Sequence, residues 1–216
     1  MRSAAFFDVD YTILQGSSSI MFMNYLLFRG KISLKYIVSA AIFFTRYKLN
    51  RISYEYLSKN IKLPIIEKKT IKQVNNLSKR FFSKVLIKKI RKKAKKRIEF
   101  HRKNNQKIVL ASASMDFLLK PLAKHLNADL VCTTTEIKNK IYTGKLSGPV
   151  CYGKNKKQLV KDYANKNKID LKNSFSYSDH VSDLLFLQLT GKPYFVNPNF
   201  RLKKIAKTHK IKTISF

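Results

Sequence analysis

The sequence predicts an α/β protein with a Rossmann-like parallel sheet and an all-helical cap inserted into it. The chain opens on an unbroken apolar run, SAAFFDVD, of the kind that is buried on both faces of a parallel sheet. Residues 17–104 then carry apolar side chains at helical spacing. From residue 105 onward, strand patterns alternate with helix patterns, which is typical of a parallel sheet.

Length and composition agree with this organisation. The 216 residues, 44% of them hydrophobic, are enough for one well-buried domain with an insertion or for two small domains. The same hydrophobic content argues against intrinsic disorder, which the charge alone would suggest. We therefore predict a core domain formed by residues 1–16 and 105–216 and a helical cap formed by residues 17–104.

The inserted segment contains apolar stretches that predict four or five helices and no strand. They include SIMFMNYLLFRG, SLKYIVSAAIFFTRY and a lysine-rich stretch from residue 71 to residue 103. The most apolar part, residues 36–44, is nine residues long between Lys35 and Arg46. A helix that crosses a bilayer needs about 20 apolar residues, so this part is too short to span a membrane.

The second half of the chain predicts the rest of the sheet. A strand in KIVLASAS, residues 107–114, is followed by a helix in FLLKPLAKHLN. A third apolar run, ADLVCTTTEI, leads into a hairpin around KNK and IYTGKL. The remaining elements are a helix in NKKQLVKDYANKN, a strand in SFSYSD, a helix in SDLLFLQLTG, a strand in PYFVN, a helix in RLKKIAKTH and a last strand in IKTISF.

The charge balance is strongly basic. The 45 Lys and Arg residues against 12 Asp and Glu residues give a formal net charge of +33. Such a charge favours polyanionic neighbours: nucleic acid, anionic lipid headgroups or phosphorylated metabolites. A biased base composition of the genome is the alternative explanation, since Ile and Asn are also abundant, and the two explanations are compatible.

The two cysteines indicate a reducing environment. Cys132 and Cys151 are too few for a disulfide scaffold in a chain of this size, and neither stands in a CxxC or Cys/His metal spacing. Because the first strand already begins by Ala4, we expect no signal peptide. We therefore predict a cytoplasmic protein.

Polar side chains follow several of the predicted strands. Asp8 and Asp10 stand at the carboxyl end of the first strand, Ser112 at that of the second, and Asp179 after SFSYS. Functional sites of open α/β sheets lie at this edge. Carboxylates that gather in a basic protein repel one another unless a cation lies among them, and oxygen-only ligation suits Mg²⁺. We therefore predict a Mg²⁺ site formed by Asp8, Asp10, Asp179 and Asp183.

The same residues suggest a chemistry. A carboxylate such as Asp8 can act as a nucleophile and form an aspartyl-phosphate, which divides one difficult hydrolysis into two easier displacements. Asp10 could protonate the leaving oxygen and later activate water. The hydroxyls of Thr12 and Ser112, together with a lysine, could hold the phosphoryl oxygens as charge develops on them.

The order of these motifs resembles a known family. DVDYT, the strand-end serine of VLASAS, a lysine in CYGKNKK and the pair of acids in SDHVSD are similar to the four motifs of the haloacid dehalogenase superfamily. The helical segment between the first two motifs resembles the cap of its phosphoserine-phosphatase-like branch. The resemblance covers nearly the whole chain, and four ordered motifs on a matching α/β pattern are far more specific than DxDxT alone.

The resemblance implies a Mg²⁺-dependent phosphomonoester hydrolase that acts on a small phosphorylated metabolite. It also implies a role for each motif residue. Asp8 would be the nucleophile and Asp10 the general acid and base. Mg²⁺ would be held by Asp8, the main-chain carbonyl of Asp10 and Asp179. Asp183 would either ligate the metal or orient the lysine. The residues implied in substrate binding are Thr12, Ser112 and Ser114. Lys154, Lys156 and Lys157 all crowd the lysine motif, and the spacing from Cys151 and Gly153 favours Lys156 as the catalytic lysine.

Four positions depart from the family pattern. Tyr11 stands where the family usually has Gly, and Ser178–Asp179–His180 replaces Gly–Asp–Ser. Gly tolerates backbone conformations that Tyr does not, so the turn after Asp10 is expected to differ. Ser17 stands where phosphoserine phosphatases carry a Glu that helps to hold the substrate's amino group, which makes phosphoserine a less favoured substrate than another small phosphorylated metabolite.

Other functions compete with this interpretation. The chain could be a basic protein that keeps the fold but binds nucleic acid or a membrane surface, or a phosphatase of a lipid-linked phosphate. The lysine run 88–96 is most simply a solvated helix face, without stacking aromatics for nucleic acid. Residues 34–47 are expected to form the cap's own core, or else to lie on an anionic membrane surface. We expect His101, His125 and His209 to face solvent.

Overall fold

The computed structural model describes residues 2–49, 51–53, 56, 60 and 63–216. Its main sheet has six parallel strands in the order β3-β2-β1-β6-β7-β8. These strands are β1 Ala4–Phe7, β2 Lys107–Met115, β3 Asp129–Thr133, β6 Phe175–Ser178, β7 Lys192–Val196 and β8 Lys212–Ile214. The predicted α/β class and parallel sheet are confirmed.

The strands β4 and β5 form a separate antiparallel hairpin, as KNK predicts. They are β4 Thr135–Lys138 and β5 Ile141–Leu146. Residues of the inserted segment hydrogen-bond to this hairpin: Leu63 N donates to Gly144 O and Lys68 N to Tyr142 O. The hairpin therefore anchors part of the inserted segment to the rest of the molecule.

Eight α-helices have both ends within the described residues. They are α1 Ser18–Leu27, α2 Leu34–Lys48, α3 Ile71–Lys84, α4 Lys92–Lys103, α5 Asp116–His125, α6 Gly153–Lys166, α7 Leu184–Leu187 and α8 Phe200–Thr208. The start of α3 is encoded locally by a capping box, in which Thr70 and Gln73 satisfy each other's backbone N–H groups. Among these helices none is both long and apolar enough to cross a membrane.

The strand β1 is buried on both faces, which explains its unbroken apolar sequence. Ala5 and Phe7 belong to one hydrophobic cluster and Ala4 and Phe6 to the other. Successive side chains of a strand point to opposite faces, so helices must cover both sides of the sheet. Phe7 stacks on Tyr177 of the neighbouring strand β6 with 4.6 Å between ring centroids.

The helix α4 lies within the range predicted as cap and contacts the sheet. Its buried face consists of Ala94, Ile98 and His101. The prediction that His101 faces solvent is wrong, because its ring is fully buried 5.9 Å from the ring of Phe7. His125 and His209 are exposed as predicted. The domain division at residues 17 and 104 stays a prediction.

The lysine run 88–96 is exposed to solvent but does not lie on a single helix. Lys88 and Lys89 lie in a short 3-10 turn, Leu86–Lys89. Ile90 then interrupts the lysine run, and α4 begins two residues later, at Lys92. Ile90 forms an isolated antiparallel β-bridge with Leu14, and Gln15 N donates to Lys89 O. The two chain passages that join β1 and α4 to the inserted helices are therefore hydrogen-bonded to each other.

Candidate active site

Asp8 lies directly after β1, at the carboxyl edge of the sheet. Its backbone N–H donates to the carbonyl of Tyr177 at 2.8 Å, which continues the pairing with β6 beyond the end of the strand. The side chain is 12% exposed, so it is held in the protein but still reachable from solvent. The opening strand thus ends by presenting a partly accessible carboxylate at the carboxyl edge of the sheet.

Lys156 forms ion pairs with two carboxylates at this edge. Its Nζ lies 2.7 Å from Asp8 Oδ1 and 2.5 Å from Asp183 Oδ2. The helix α6 buries Lys156 together with Val160 and Ala164, which are spaced four residues apart along one face. The neighbouring Lys154 and Lys157 point to solvent. The structure therefore brings only Lys156 of the three candidate lysines to the site.

The charges of this group affect one another strongly. Burial raises the pKa of Asp8 from 3.8 to about 8, Lys156 opposes this shift, and the carboxylates of Asp183 and Asp179 add to it. Burial lowers the pKa of Lys156, but Asp183 and Asp8 more than offset that effect, so its pKa is raised and the ammonium stays charged. Two carboxylates thus share one ammonium, and Asp179 lies close enough to Asp8 to affect its pKa.

Asp179 and Asp183 are positioned by hydroxyl groups. Thr12 Oγ1 donates to Asp179 Oδ1 at 3.0 Å, so the first and last motifs are in direct contact. Ser178 Oγ donates to Asp183 Oδ2 at 2.7 Å. Burial raises the pKa of Asp179. The carboxylate of Asp183 accepts hydrogen bonds from Lys156 and Ser178. In this arrangement Asp183 orients the lysine.

Asp10 is held by two donors. The backbone N–H of Ser18 donates to Asp10 Oδ1 and the hydroxyl of Ser114 donates to Asp10 Oδ2, both at 2.8 Å. Ser18 is the first residue of α1, where free backbone N–H groups favour a carboxylate. The Ser114 hydroxyl also contacts those of Ser18 and Ser19. The carboxylate of Asp10 is therefore fixed in one orientation.

The contacts of Ser18 and Ser114 with Asp10 were not expected from the sequence. Ser114 was predicted to bind substrate, and in the structure its hydroxyl contacts Asp10. Ser18 was not predicted to be a site residue. A serine at the start of a helix that follows an acidic strand-end motif could have indicated such a contact. Ser112 is buried, and its Oγ accepts a hydrogen bond from Ser114 N at 3.1 Å. It lies on β2 two residues after Leu110, which is paired with Phe7 of β1.

Tyr11 takes the conformation that the family's glycine would favour. Its φ is +59°, in the left-handed region that is costly for residues with a Cβ. The turn is closed by a hydrogen bond from Tyr11 N to Gly16 O at 3.1 Å. The ring is 49% exposed. The departure from Gly therefore leaves the turn intact at a cost in backbone strain.

The donors at this edge suit a hard cation. Carboxylate oxygens of Asp8 and Asp179 and the main-chain carbonyl of Asp10 offer the oxygen-only ligation that Mg²⁺ prefers. In the part of the chain that the structure describes, no three His, Cys, Asp or Glu side chains are grouped so as to hold a metal ion by themselves. Mg²⁺ usually takes one or two carboxylates and completes its octahedron with water and substrate phosphates, so the residues present fit it.

The fold and this arrangement at the strand ends define the chain as an α/β enzyme. It belongs to the haloacid dehalogenase-like hydrolase family, whose model matches residues 5–188. The predicted family and the predicted enzyme class are thereby confirmed.

Two other proteins are similar to this chain. The phosphoserine phosphatase SerB1 of Mycobacterium tuberculosis is 26% identical over 214 residues, which cover 96% of this chain and 68% of that protein. A protein of unknown function from Bordetella pertussis Tohama I has a similar structure, with a TM-score of 0.86 and 21% identity over 99% of this chain and 98% of that one.

A structure of phosphoserine phosphatase with an analogue of its phospho-aspartyl intermediate is also similar. The TM-score is 0.64 with 15% identity, and the match covers 98% of this chain and 92% of the other. At this level of identity the likeness shows the fold alone. The chain is a hydrolase similar to phosphoserine phosphatases.

Proposed function

We propose that this protein is a Mg²⁺-dependent phosphomonoesterase that forms an aspartyl-phosphate on Asp8. The observation that carries the proposal is the ion pair of Lys156 with Asp8 and Asp183 at the end of β1. It supports a nucleophile that is held beside a fixed positive charge, at the edge of the sheet where α/β enzymes bind substrate. Bound Mg²⁺ would neutralise phosphate charge during the transfer.

In the first displacement, a carboxylate oxygen of Asp8 attacks the phosphorus and the bond from phosphorus to the ester oxygen breaks. Asp10 gives its proton to the leaving alkoxide, so the alcohol product departs neutral. The contacts of Asp10 with Ser18 and Ser114 support this role, because they aim its carboxylate before substrate arrives. Lys156 and the hydroxyls of Thr12 and Ser112 would stabilise the phosphoryl oxygens.

In the second displacement, Asp10 accepts a proton from water while the water oxygen attacks the phosphorus. The bond from phosphorus to Asp8 breaks, inorganic phosphate leaves, and both aspartates return to their starting states. Exclusion of water during the first displacement would fall to the inserted helices. Before substrate binds, Thr12 donates to Asp179 and so links the first and last motifs; during the transfer its single O–H would turn to the phosphoryl oxygens.

The proposed substrate is a small phosphorylated metabolite. SerB1 is named a phosphoserine phosphatase, and phosphoserine is therefore the first compound to assay. We expect it to be a poor substrate, because Ser17 offers no carboxylate for an amino group and instead accepts from Ile20 N as the cap of α1. A lipid-linked phosphate is the second substrate class, favoured by an exposed apolar face of α2.

The test is hydrolysis of p-nitrophenyl phosphate with and without Mg²⁺, by the wild type and by Asp8→Asn. We expect turnover that requires the metal and is lost in the variant. Intact mass spectrometry after acid quenching should show a phosphoryl adduct on the wild type and none on Asp8→Asn. Turnover by a folded Asp8→Asn protein would refute the mechanism.

A further inference from the structure

The helix α2 exposes a stripe of aliphatic side chains. The members of this apolar stripe are Leu34, Val38, Ile42 and Leu49, each between 51% and 62% exposed. The spacing of the first three places them on one face of the helix, which is 15 residues or about 22 Å long, and Leu49 directly follows its last residue. Aliphatic side chains that are exposed in a row along a helix commonly mark an interaction site.

The opposite face of α2 already has its packing. Phe43, Phe44 and Tyr47 are partly buried and pack against the main hydrophobic cluster. The helix α2 therefore has apolar residues on two sides, one packed and one exposed. Phe28, which follows α1, is 87% exposed and adds an aromatic ring to the apolar surface of the same segment.

The charges around the stripe identify its partner. Residues 17–62 contain eight Lys or Arg residues and a single acid, Glu55. On the helix itself, the exposed Lys35 and Arg46 lie along one side of the stripe. An aliphatic face bordered by basic residues is the pattern of helices that lie in the interface of an anionic bilayer. We propose that α2 docks this protein on anionic phospholipid membranes through the apolar stripe.

Two other occupants fit less well. A second copy of the chain would bring two such basic segments together in a molecule that already carries a net charge of +33, so repulsion opposes it. Nucleic acid binds through phosphate contacts and stacking on flat rings, for which Leu, Val and Ile side chains offer no surface. A bilayer uses both the charge and the aliphatic side chains.

The apolar stripe follows the candidate active site closely in the chain. The helix α1 begins at Ser18, whose backbone N–H holds Asp10, and its ten residues extend about 15 Å toward Phe28 and α2. The stripe therefore belongs to the segment that leads directly out of the site. This inference concerns binding and stands whether or not the proposed phosphatase mechanism is correct.

The chain has no Trp, which makes a sharp test possible. Val38→Trp places a single fluorophore in the stripe, and Phe200→Trp places one at a position of α8 that is 74% exposed in the wild type. With vesicles of phosphatidylcholine and phosphatidylglycerol, we expect the emission of Val38→Trp to shift to the blue and to be quenched by brominated acyl chains. Phe200→Trp should not respond, and vesicles of phosphatidylcholine alone should leave both unchanged.

Flotation with the same vesicles gives an independent measurement. We expect the double variant Val38→Gln, Ile42→Gln to lose about tenfold in partitioning, because two aliphatic side chains no longer enter the interface. Phe200→Gln is the matched control and should float like the wild type. Thermal unfolding of each variant checks the fold, which should be unaffected because the replaced side chains are exposed.

Three results would overturn the proposal. The first is adsorption that the double variant retains in full, which would mean attraction by charge alone. The second is an equal response of Val38→Trp and Phe200→Trp. The third is a blue shift of Val38→Trp that grows with protein concentration in the absence of vesicles, which would identify the stripe as an interface between copies.

Discussion

The ammonium of Lys156 lies 2.7 Å from Asp8 Oδ1, although the two residues are 148 positions apart in the chain. A second contact, to Asp183, makes this lysine the positive centre of the site. The group is buried, so each ionic contact acts in a medium less polar than water. Removal of one member should therefore have large effects on both activity and stability.

For Lys156→Met we expect kcat to fall by about 10²- to 10³-fold, as for the loss of one group that stabilises transition-state charge. The free energy of unfolding should fall by about 3 kcal/mol near neutral pH, because Asp8 and Asp183 lose their shared partner. Steady-state kinetics and urea denaturation measure the two effects. Lys157→Met, at an exposed position of the same helix, should change neither; equal losses in both variants would contradict the assignment.

Ser114→Ala removes the donor to Asp10 Oδ2. A hydrogen bond to a charged group contributes about 1.5–3 kcal/mol, so we expect kcat to fall roughly tenfold or more while KM changes little. Ser114→Thr keeps the hydroxyl and should restore most of the rate. If the change falls on KM instead, Ser114 contacts the substrate, as the sequence analysis predicted, and does not act by positioning Asp10.

Tyr11→Gly should stabilise the protein. The φ of +59° costs a residue with a Cβ about 1 kcal/mol, and glycine adopts it without that strain. Chemical denaturation should show an increase in the free energy of unfolding of up to about this amount. Tyr11→Ala keeps the Cβ and is the control. A gain in stability for Tyr11→Ala that equals that of Tyr11→Gly would show that the side chain, and not the backbone, causes the strain.

His101 should make stability depend on pH. Burial lowers its pKa from 6.5 to about 4, and the ring contacts Tyr177 Oη at 2.8 Å. Between these values the unfolded state binds more protons than the folded state. The free energy of unfolding should therefore fall as the pH decreases from about 6.5 to about 4, by up to about 1.4 kcal/mol per pH unit.

Denaturation curves at several pH values across this range, for the wild type and for His101→Gln, measure that contribution. The variant should lose this part of the pH dependence. His125→Gln changes an exposed histidine and should keep it. A wild-type slope that His101→Gln leaves unchanged would mean that other groups set the acid sensitivity.

Much of the fold was predictable because its signals are local. The apolar run of β1, the hairpin around KNK and the capping box of Thr70 each lie within a few residues, and all three elements form. The interruption of the lysine run at Ile90 was not predictable in this way. It depends on pairing with Leu14, which is distant in sequence and carries no recognisable partner signal.

The sequence by itself determined the family, the order of the strands and helices along the chain, and the acids at the strand ends. The spacing favoured Lys156, and the tertiary structure brings it to Asp8. Only the tertiary structure decided that Asp10 is held by Ser18 and Ser114 and that His101 is buried. The physical reason is that patterning reports which face of an element is apolar, whereas a buried polar group needs a specific partner. For His101 that partner is Tyr177, 76 positions away, and only the folded chain brings the two together.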